Sequence, residues 1–274
     1  MTTVWIDGAL IDEAEARVSP TDHGVLVGDG VFETLKVVAG TPFALTRHLG
    51  RLRRSAAVLG LVPPDDDLLR AGVAAVVAAN DPGVGRLRIT LTGGPGPLGS
   101  DRGDAGPTTL MSTGPAGTWA PTTGVVTVPW PRNERGALAG VKSTSYAENV
   151  LALARAKAAG GTEAIFANTT GNLCEGTGSN VFVGIGGRLV TPPLAAGPLA
   201  GITRELVLEV VDAVEEDLPL RALADADEAF LTSSTRDVQA IATVDGRALP
   251  AAPGPLTRAA AAAFAALAAS TLDP

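Results

Sequence analysis

The chain has 274 residues, 46% of them hydrophobic, and a formal net charge of -8. That is enough apolar material for one large domain or two smaller ones, and it is not the composition of a disordered chain. The acidic balance argues against nucleic acid and anionic membranes as partners. The single cysteine, Cys174, excludes an intramolecular disulfide and fits a reducing cytoplasm. With two histidines, His23 and His48, beside that one cysteine, a zinc site is not expected. The N-terminal MTTVWIDGALIDEAEA lacks an apolar signal core and no apolar run reaches membrane-spanning length. The expectation is a soluble cytoplasmic protein.

Thr3 to Ile11 reads as a hairpin turning at Asp7-Gly8. The loop SPTDHGVLVGDG leads into VFETLKVV, whose alternation predicts a strand, and Ala39-Gly40-Thr41-Pro42 turns it into FAL. Helical spacing in TRHLGRLRRSAAVLGL puts Leu49, Leu52, Ala56 and Leu59 on one stripe, with arginines opposite. DDDLLRAGVAAVVAAN is a second helix with its acids at the N-terminus. RLRITLTGG is a strand with Leu87, Ile89 and Leu91 on one face and Arg88, Thr90 and Thr92 on the other. That polar face either meets solvent or lines a polar cleft. The loop GGPGPLGSDRGDAG suits a lid or a reach to a neighbouring subunit, and PTTLMSTG returns as a strand.

PAGTWAPTTG is the most linker-like segment. It predicts a small N-terminal α+β domain over 1–114, a linker over 115–123 and a larger C-terminal domain over 124–274. The second half opens on the strand GVVTVPW and the helix AENVLALARAKAA. Short strands follow in EAIFAN, LCEG, SNVFVGI and RLVTPP. ITRELVLEVVDAV is a helix, two further strands flank Ser233-Ser234-Thr235, and LTRAAAAAFAALAAS closes the chain as a helix. Helices and strands mix without strict alternation, so the fold class is α+β, with mixed or antiparallel sheets flanked by helices.

Lys142 is one of three lysines in a chain that otherwise uses arginine, and Tyr146, the lone tyrosine, follows four residues later. Lysine, unlike arginine, can shed its proton and attack a carbonyl. Lys36 and Lys157 read as ordinary solvated positions. Lys142 sits where a turn-rich segment meets a helix, a setting that concentrates function. The alternative is a surface charge.

Two stretches suit a phosphate. Gly201-Ile202-Thr203 opens a helix with free amides and a hydroxyl, although Thr also serves as an ordinary cap. Ser233-Ser234-Thr235 offers three hydroxyls at a strand end, or a loop of capping hydroxyls. With Arg51 these could hold a dianion from several sides. Glu175 lies among small and apolar residues with no arginine adjacent in sequence, which leaves a cofactor cation as one partner and solvent as the other. A reactive lysine, a phosphate cradle and an isolated acid together suggest pyridoxal phosphate, with Tyr146 at its ring oxygen.

These residues also carry a resemblance. GDGVFET, HLGRL, VKSTSYAEN, LCEGTGSNVF, AGITR and TSST occur in the order found in the fold-type IV, or class IV, pyridoxal-phosphate enzymes. That group includes D-amino acid transaminases, branched-chain aminotransferases, (R)-amine transaminases and aminodeoxychorismate lyases. The resemblance implies a two-domain homodimer with the active site at the domain junction near the partner chain. It implies that Lys142 is the Schiff-base lysine and proton shuttle, that Glu175 pairs with the pyridine nitrogen, and that Tyr146 contacts the ring oxygen. It assigns Arg51, Gly201, Ile202, Thr203, Ser233 and Ser234 to the phosphate and Leu199 to the ring. Arg88, with Thr235 assisting, becomes the expected substrate carboxylate ligand. Phe32 and Glu33 from GDGVFET complete the expected substrate set with Arg102 from the glycine-rich loop, acting in its own site or in the partner's. Gly93 stands where bacillary D-amino acid transaminases carry an arginine. The implied reaction is transamination between an amino donor, a D-amino acid or (R)-amine, and a 2-oxo acid. Aminodeoxychorismate lysis and L-branched-chain transamination are the alternatives.

Overall fold

The computed structural model describes residues 2–80 and 84–274. Met1 and residues 81–83 of the expected first domain lie outside the described residues. Contacts separate two compact units, Met1–Gly117 with Val141–Tyr146 and Asp273, and Thr118–Gly140 with Ala147–Leu272 and Pro274. Val141–Tyr146 therefore packs with the first unit, although it falls within the expected 124–274 domain.

The first unit contains β1 (Thr3–Ile6), β2 (Ala9–Asp12), α1 (His23–Leu26), β3 (Gly30–Val38) and β4 (Thr41–Pro42), then α2 (Leu45–Leu59), α3 (Asp66–Ala78), β5 (Val84–Thr92) and β6 (Thr108–Pro115). The strands form one sheet in the order β2-β1-β6-β5-β3-β4, every pairing antiparallel. Asp7 and Gly8 at the first turn both have positive φ, 45° and 99°, as a tight hairpin of matching twist requires. Leu35, Leu49, Leu52, Leu69, Ile89 and Met111 form a solvent-free core between sheet and helices, each such side chain contributing about 1.5–3 kcal/mol. Asp65 caps α3 by accepting from the Leu68 amide at 2.8 Å. The start of α2 has no cap from its own N-cap residue; Asp273 accepts instead from the Thr46 amide at 2.9 Å and the Thr46 hydroxyl at 2.6 Å. His23–Leu26, read as loop in the sequence, is a single helical turn capped by Asp22.

The second unit holds β7 (Thr122–Thr127), α4 (Ala147–Ala158), β8 (Glu163–Ala167), β9 (Leu173–Gly176), β10 (Asn180–Ile185) and β11 (Arg188–Thr191). It continues with α5 (Ile202–Val210), β12 (Val214–Glu215), β13 (Glu228–Ser233), β14 (Asp237–Val244), β15 (Arg247–Ala248) and α6 (Pro255–Ser270). Its sheet runs β12-β11-β10-β13-β14-β7-β8-β9, with β15 on β14. Parallel pairs (β11 with β12, β14 with β7, β7 with β8) mix with antiparallel ones. Phe182 and Phe230 stack at 4.8 Å inside it. The predicted helix over 202–214 stops at Val210. Val214 and Glu215 pair with Val190 and Thr191, and Arg204 bonds Glu215, so tertiary pairing overrides the helical spacing. Among the described residues no helix is long and apolar enough to cross a membrane.

Candidate active site

In the first unit the Lys142 segment is held by backbone. The Phe32 amide donates to the Lys142 carbonyl at 3.0 Å and the Thr144 amide to the Gly30 carbonyl at 2.8 Å. Val31 bridges to Ser143, so the segment lies as a short antiparallel partner of β3. The Lys142 amide donates to Ser55 Oγ on α2 at 3.2 Å, and the Thr144 and Ser145 hydroxyls both reach the Gly28 carbonyl at 2.9 Å.

Alternate residues of β3 face opposite ways. Phe32 is opposite Thr90, and Thr34 opposite Arg88, on the polar face. There the Phe32 ring gathers three expected residues. Arg88 Cζ is 3.8 Å and Lys142 Nζ 4.4 Å from its centroid, and Tyr146 meets it edge-on at 5.3 Å. Both cations gain from the ring's negative faces. Arg88 also donates to Thr90 Oγ1 at 3.1 Å. Burial lowers the Arg88 pKa, with Tyr146 opposing that shift.

Glu33, one residue on, points the other way, and this corrects its expected substrate role. It is fully buried; Arg51 donates from Nε to Oε1 at 2.8 Å and from Nη2 to Oε2 at 2.7 Å, and His48 Nδ1 is 2.6 Å from Oε2. Burial pushes the Glu33 carboxyl up, but the Arg51 and His48 charges and hydrogen bonds outweigh it and bring the carboxyl down to about 2. Burial lowers the His48 pKa, against the pull of Glu33. Arg51 is buried too, not on an outward face of α2 as the stripe suggested. His48, Arg51 and Ser55 form a second, polar stripe beside the apolar one, at spacings of three and four. Arg102 is likewise tied up within the protein. Its Nε and Nη2 donate to Asp29 at 2.6 Å each and its Nη1 to the Leu59 carbonyl at 2.6 Å. These bonds anchor the glycine-rich loop.

In the second unit, Glu175 on β9 accepts at Oε2 from the Leu199 amide at 2.9 Å. Its Oε1 lies 3.2 Å from Arg132 Nε, an ion pair without hydrogen-bond alignment. Arg132 is the cation missing from the sequence neighbourhood of Glu175; its guanidinium sits 4.2 Å from the Phe166 centroid and donates to Asn149 at 2.9 Å. Asn180 Nδ2 donates to the Leu199 carbonyl at 2.9 Å. A Cβ on Gly201 would fall 1.9 Å from Asn180 Oδ1, so glycine is demanded there by space. Gly201 gives α5 no side-chain cap, and Ile202 and Thr203, its first two residues, are buried. Ser233 ends β13 opposite Asp237, with Ser234 and Thr235 half-buried in the turn between. Burial raises the thiol of neighbouring Cys174 far out of reactive range.

The expected residues thus fall into two sets. Lys142, Tyr146, Phe32, Arg88 and Arg51 belong to the first unit, and Glu175, Leu199, Gly201, Ile202, Thr203, Ser233, Ser234 and Thr235 to the second. Arg132, Asn180, His48 and Ser55 escaped sequence reading; only the i, i+3, i+7 spacing of the last with His48 and Arg51 could have flagged it.

Residues 30–244 match the family of class IV amino-transferases. A putative branched-chain-amino-acid aminotransferase of Methanocaldococcus jannaschii is 34% identical over 90% of this chain and 89% of its own. A D-alanine aminotransferase of Bacillus licheniformis is 31% identical over 93% of each chain. The crystal structure of 4-amino-4-deoxychorismate lyase from Pseudomonas aeruginosa matches with a TM-score of 0.84 and 31% identity, over 99% of this chain and 100% of that one. The chain belongs to the class IV amino-transferase family, the pyridoxal-phosphate enzymes of fold type IV.

Proposed function

We propose that this enzyme is a transaminase moving an amino group between D-amino acids, or (R)-amines, and 2-oxo acids by a ping-pong mechanism. The observation that carries the reading is the pair of cations on Phe32, Arg88 at 3.8 Å and Lys142 at 4.4 Å from the ring centroid. An α-amino acid presents a carboxylate one bond from its amine-bearing carbon. Arg88 takes the carboxylate, with Thr235 assisting, and Lys142 works at the carbon.

When bound, pyridoxal phosphate supplies an aldehyde for the amine and a ring that accepts the electron pair left by the departing Cα proton. The donor set suits it. Lys142 would hold the group's aldehyde and, at Nζ, would carry the proton to and from the substrate carbon. Tyr146 would hydrogen-bond the ring oxygen, and Leu199 would pack against the ring. Glu175, backed by Arg132, would keep the ring nitrogen protonated. Arg51, the Ile202 and Thr203 amides beside Gly201, and the Ser233 and Ser234 hydroxyls would be the groups to hold the phosphate.

Two other reactions use the same residues. Similarity over the whole length of the Pseudomonas aeruginosa enzyme supports release of pyruvate and 4-aminobenzoate from aminodeoxychorismate. Similarity to the Methanocaldococcus jannaschii protein supports L-branched-chain transamination. One experiment separates the three. The yellow colour of the cofactor-loaded protein is followed on adding D-alanine, D-glutamate, L-leucine or (R)-1-phenylethylamine. The D-amino acids should bleach it and a 2-oxo acid restore it. Bleaching by L-leucine alone would replace the D-specific reading, and a colour that survives every amine would leave the lyase substrate to be tried.

We further propose a cytoplasmic homodimer built of a smaller N-terminal domain, to which Val141–Tyr146 returns, and a larger C-terminal domain. The family resemblance supports the dimer, and light scattering on the purified protein tests it.

A further inference from the structure

Glu163 opens β8 at 2% exposure, and nothing in the proposed chemistry uses it. A carboxylate is costly to bury unless its lone pairs are filled, and the donors around this one are informative. Its Oε1 accepts from the Thr177 amide at 3.0 Å, the Thr177 hydroxyl, and the Ala164 amide at 3.1 Å. Its Oε2 accepts from the Ser179 hydroxyl at 3.0 Å and from Arg236 Nη2 at 3.3 Å.

Apart from the neighbouring Ala164 amide, these donors come from two segments that flank expected cofactor-binding residues. Thr177 and Ser179 lie in the loop that follows Glu175. That loop closes on Glu163 so tightly that a Cβ on Gly176 would meet Glu163 Cγ and Cδ at 3.2 Å and Ser179 Oγ at 2.3 Å. Arg236 ends the turn that carries Ser234 and Thr235, and its amide donates back to Ser233 Oγ at 3.2 Å. The Arg236 guanidinium is itself fixed, 3.9 Å from the Trp119 centroid and donating to Gln239 Oε1 at 2.7 Å. A second path joins the same parts, because Asn149 accepts from Arg132 at 2.9 Å and donates to the Thr177 carbonyl at 2.6 Å. The polar chain therefore runs from Glu175 through Arg132, Asn149, Thr177 and Glu163 to Arg236.

We propose that Glu163 is a positioning residue that fixes the 176–179 loop and the 233–236 turn to one strand end, and so sets the spacing between Glu175 and the Ser233–Thr235 hydroxyls. The inference rests on the reading above that those groups bind the cofactor ring and phosphate. A rigid ligand gripped at two points is held only as well as the distance between the grips is fixed.

The test compares wild-type protein with Glu163→Gln and Glu163→Asp. Binding of pyridoxal phosphate to the cofactor-free protein is measured by equilibrium dialysis well below the unfolding temperature, beside circular dichroism and steady-state kinetics. Glu163→Gln should keep the wild-type dichroism, bind pyridoxal phosphate about tenfold more weakly, and raise KM for the 2-oxo acid more than it lowers kcat. Glu163→Asp should fall between. If Glu163→Gln lowers only the melting temperature and leaves affinity and KM at wild-type values, the residue is merely structural and the proposal is wrong. Should that variant not fold, Arg236→Gln cuts the tie to the turn alone. Weakened binding there supports the proposal and wild-type affinity overturns it. A folded wild-type protein that binds no pyridoxal phosphate overturns the functional reading, and this inference with it.

Discussion

Arg51 grips Glu33 with two parallel hydrogen bonds, at 2.8 and 2.7 Å, and both side chains are buried. Removing one member leaves the other buried without its counter-charge, which costs about 3–5 kcal/mol. Glu33→Gln should therefore lower the melting temperature sharply and weaken pyridoxal phosphate binding, because Arg51 loses its orientation. The native Glu33 carboxyl titrates near 2, against an ordinary value of 4.5. Its stabilisation is therefore complete above about pH 4.5 and drains away as the pH falls toward 2. His48, also lowered, adds a loss that begins below its ordinary 6.5. Acid unfolding followed by circular dichroism should show the lower part of this window missing in Glu33→Gln.

Arg88→Ala should raise KM for amino acids by about 10- to 100-fold, the worth of a charged hydrogen-bond pair. (R)-1-phenylethylamine has no carboxylate, so its KM should change little. Equal losses for both donors would remove Arg88 from the carboxylate role.

Lys142→Ala should abolish turnover and the yellow colour of the loaded enzyme while leaving the fold intact, since its backbone bonds to Ser55 and Phe32 do not involve the side chain. Retained activity in this variant would sink the proposed mechanism.

Gly201→Ala would drive a methyl group into Asn180 Oδ1. Relief requires moving Asn180, which holds the Leu199 carbonyl, or the first turn of α5. The expected cost is about 1–3 kcal/mol of stability, with weaker retention of pyridoxal phosphate on dialysis. The backbone at this position is ordinary, with φ at -69°, so the effect is one of space alone.

Periodicity exposed much of this architecture because strands and helices declare which face is buried. Leu87, Ile89 and Leu91 are all fully buried, as their alternation requires. The same alternation contained the error over Glu33. A motif quoted as GDGVFET groups Phe32 with Glu33, yet neighbours on a strand face opposite sides. Arg132 could not be read because it reaches Glu175 from an isolated bridge to Asn168, 43 positions before Glu175 in sequence. A single bridge residue carries no period, so nothing local marks its long-range partners. Glu163 was hidden for a different reason. At the start of an apolar strand a glutamate looks like a solvated end, and only its five donors show otherwise.

The return of Val141–Tyr146 to the first unit bears on how this protein could be divided. A gene stopped at Gly117 would yield a fragment in which the Phe32 amide and the Gly30 carbonyl lose their partners, leaving a bare strand edge prone to self-association. The linker is thus a poor place to cut, because the two units are interleaved along the chain. A split version of the enzyme would need its break elsewhere, or a peptide spanning Val141–Tyr146 supplied alongside the N-terminal piece.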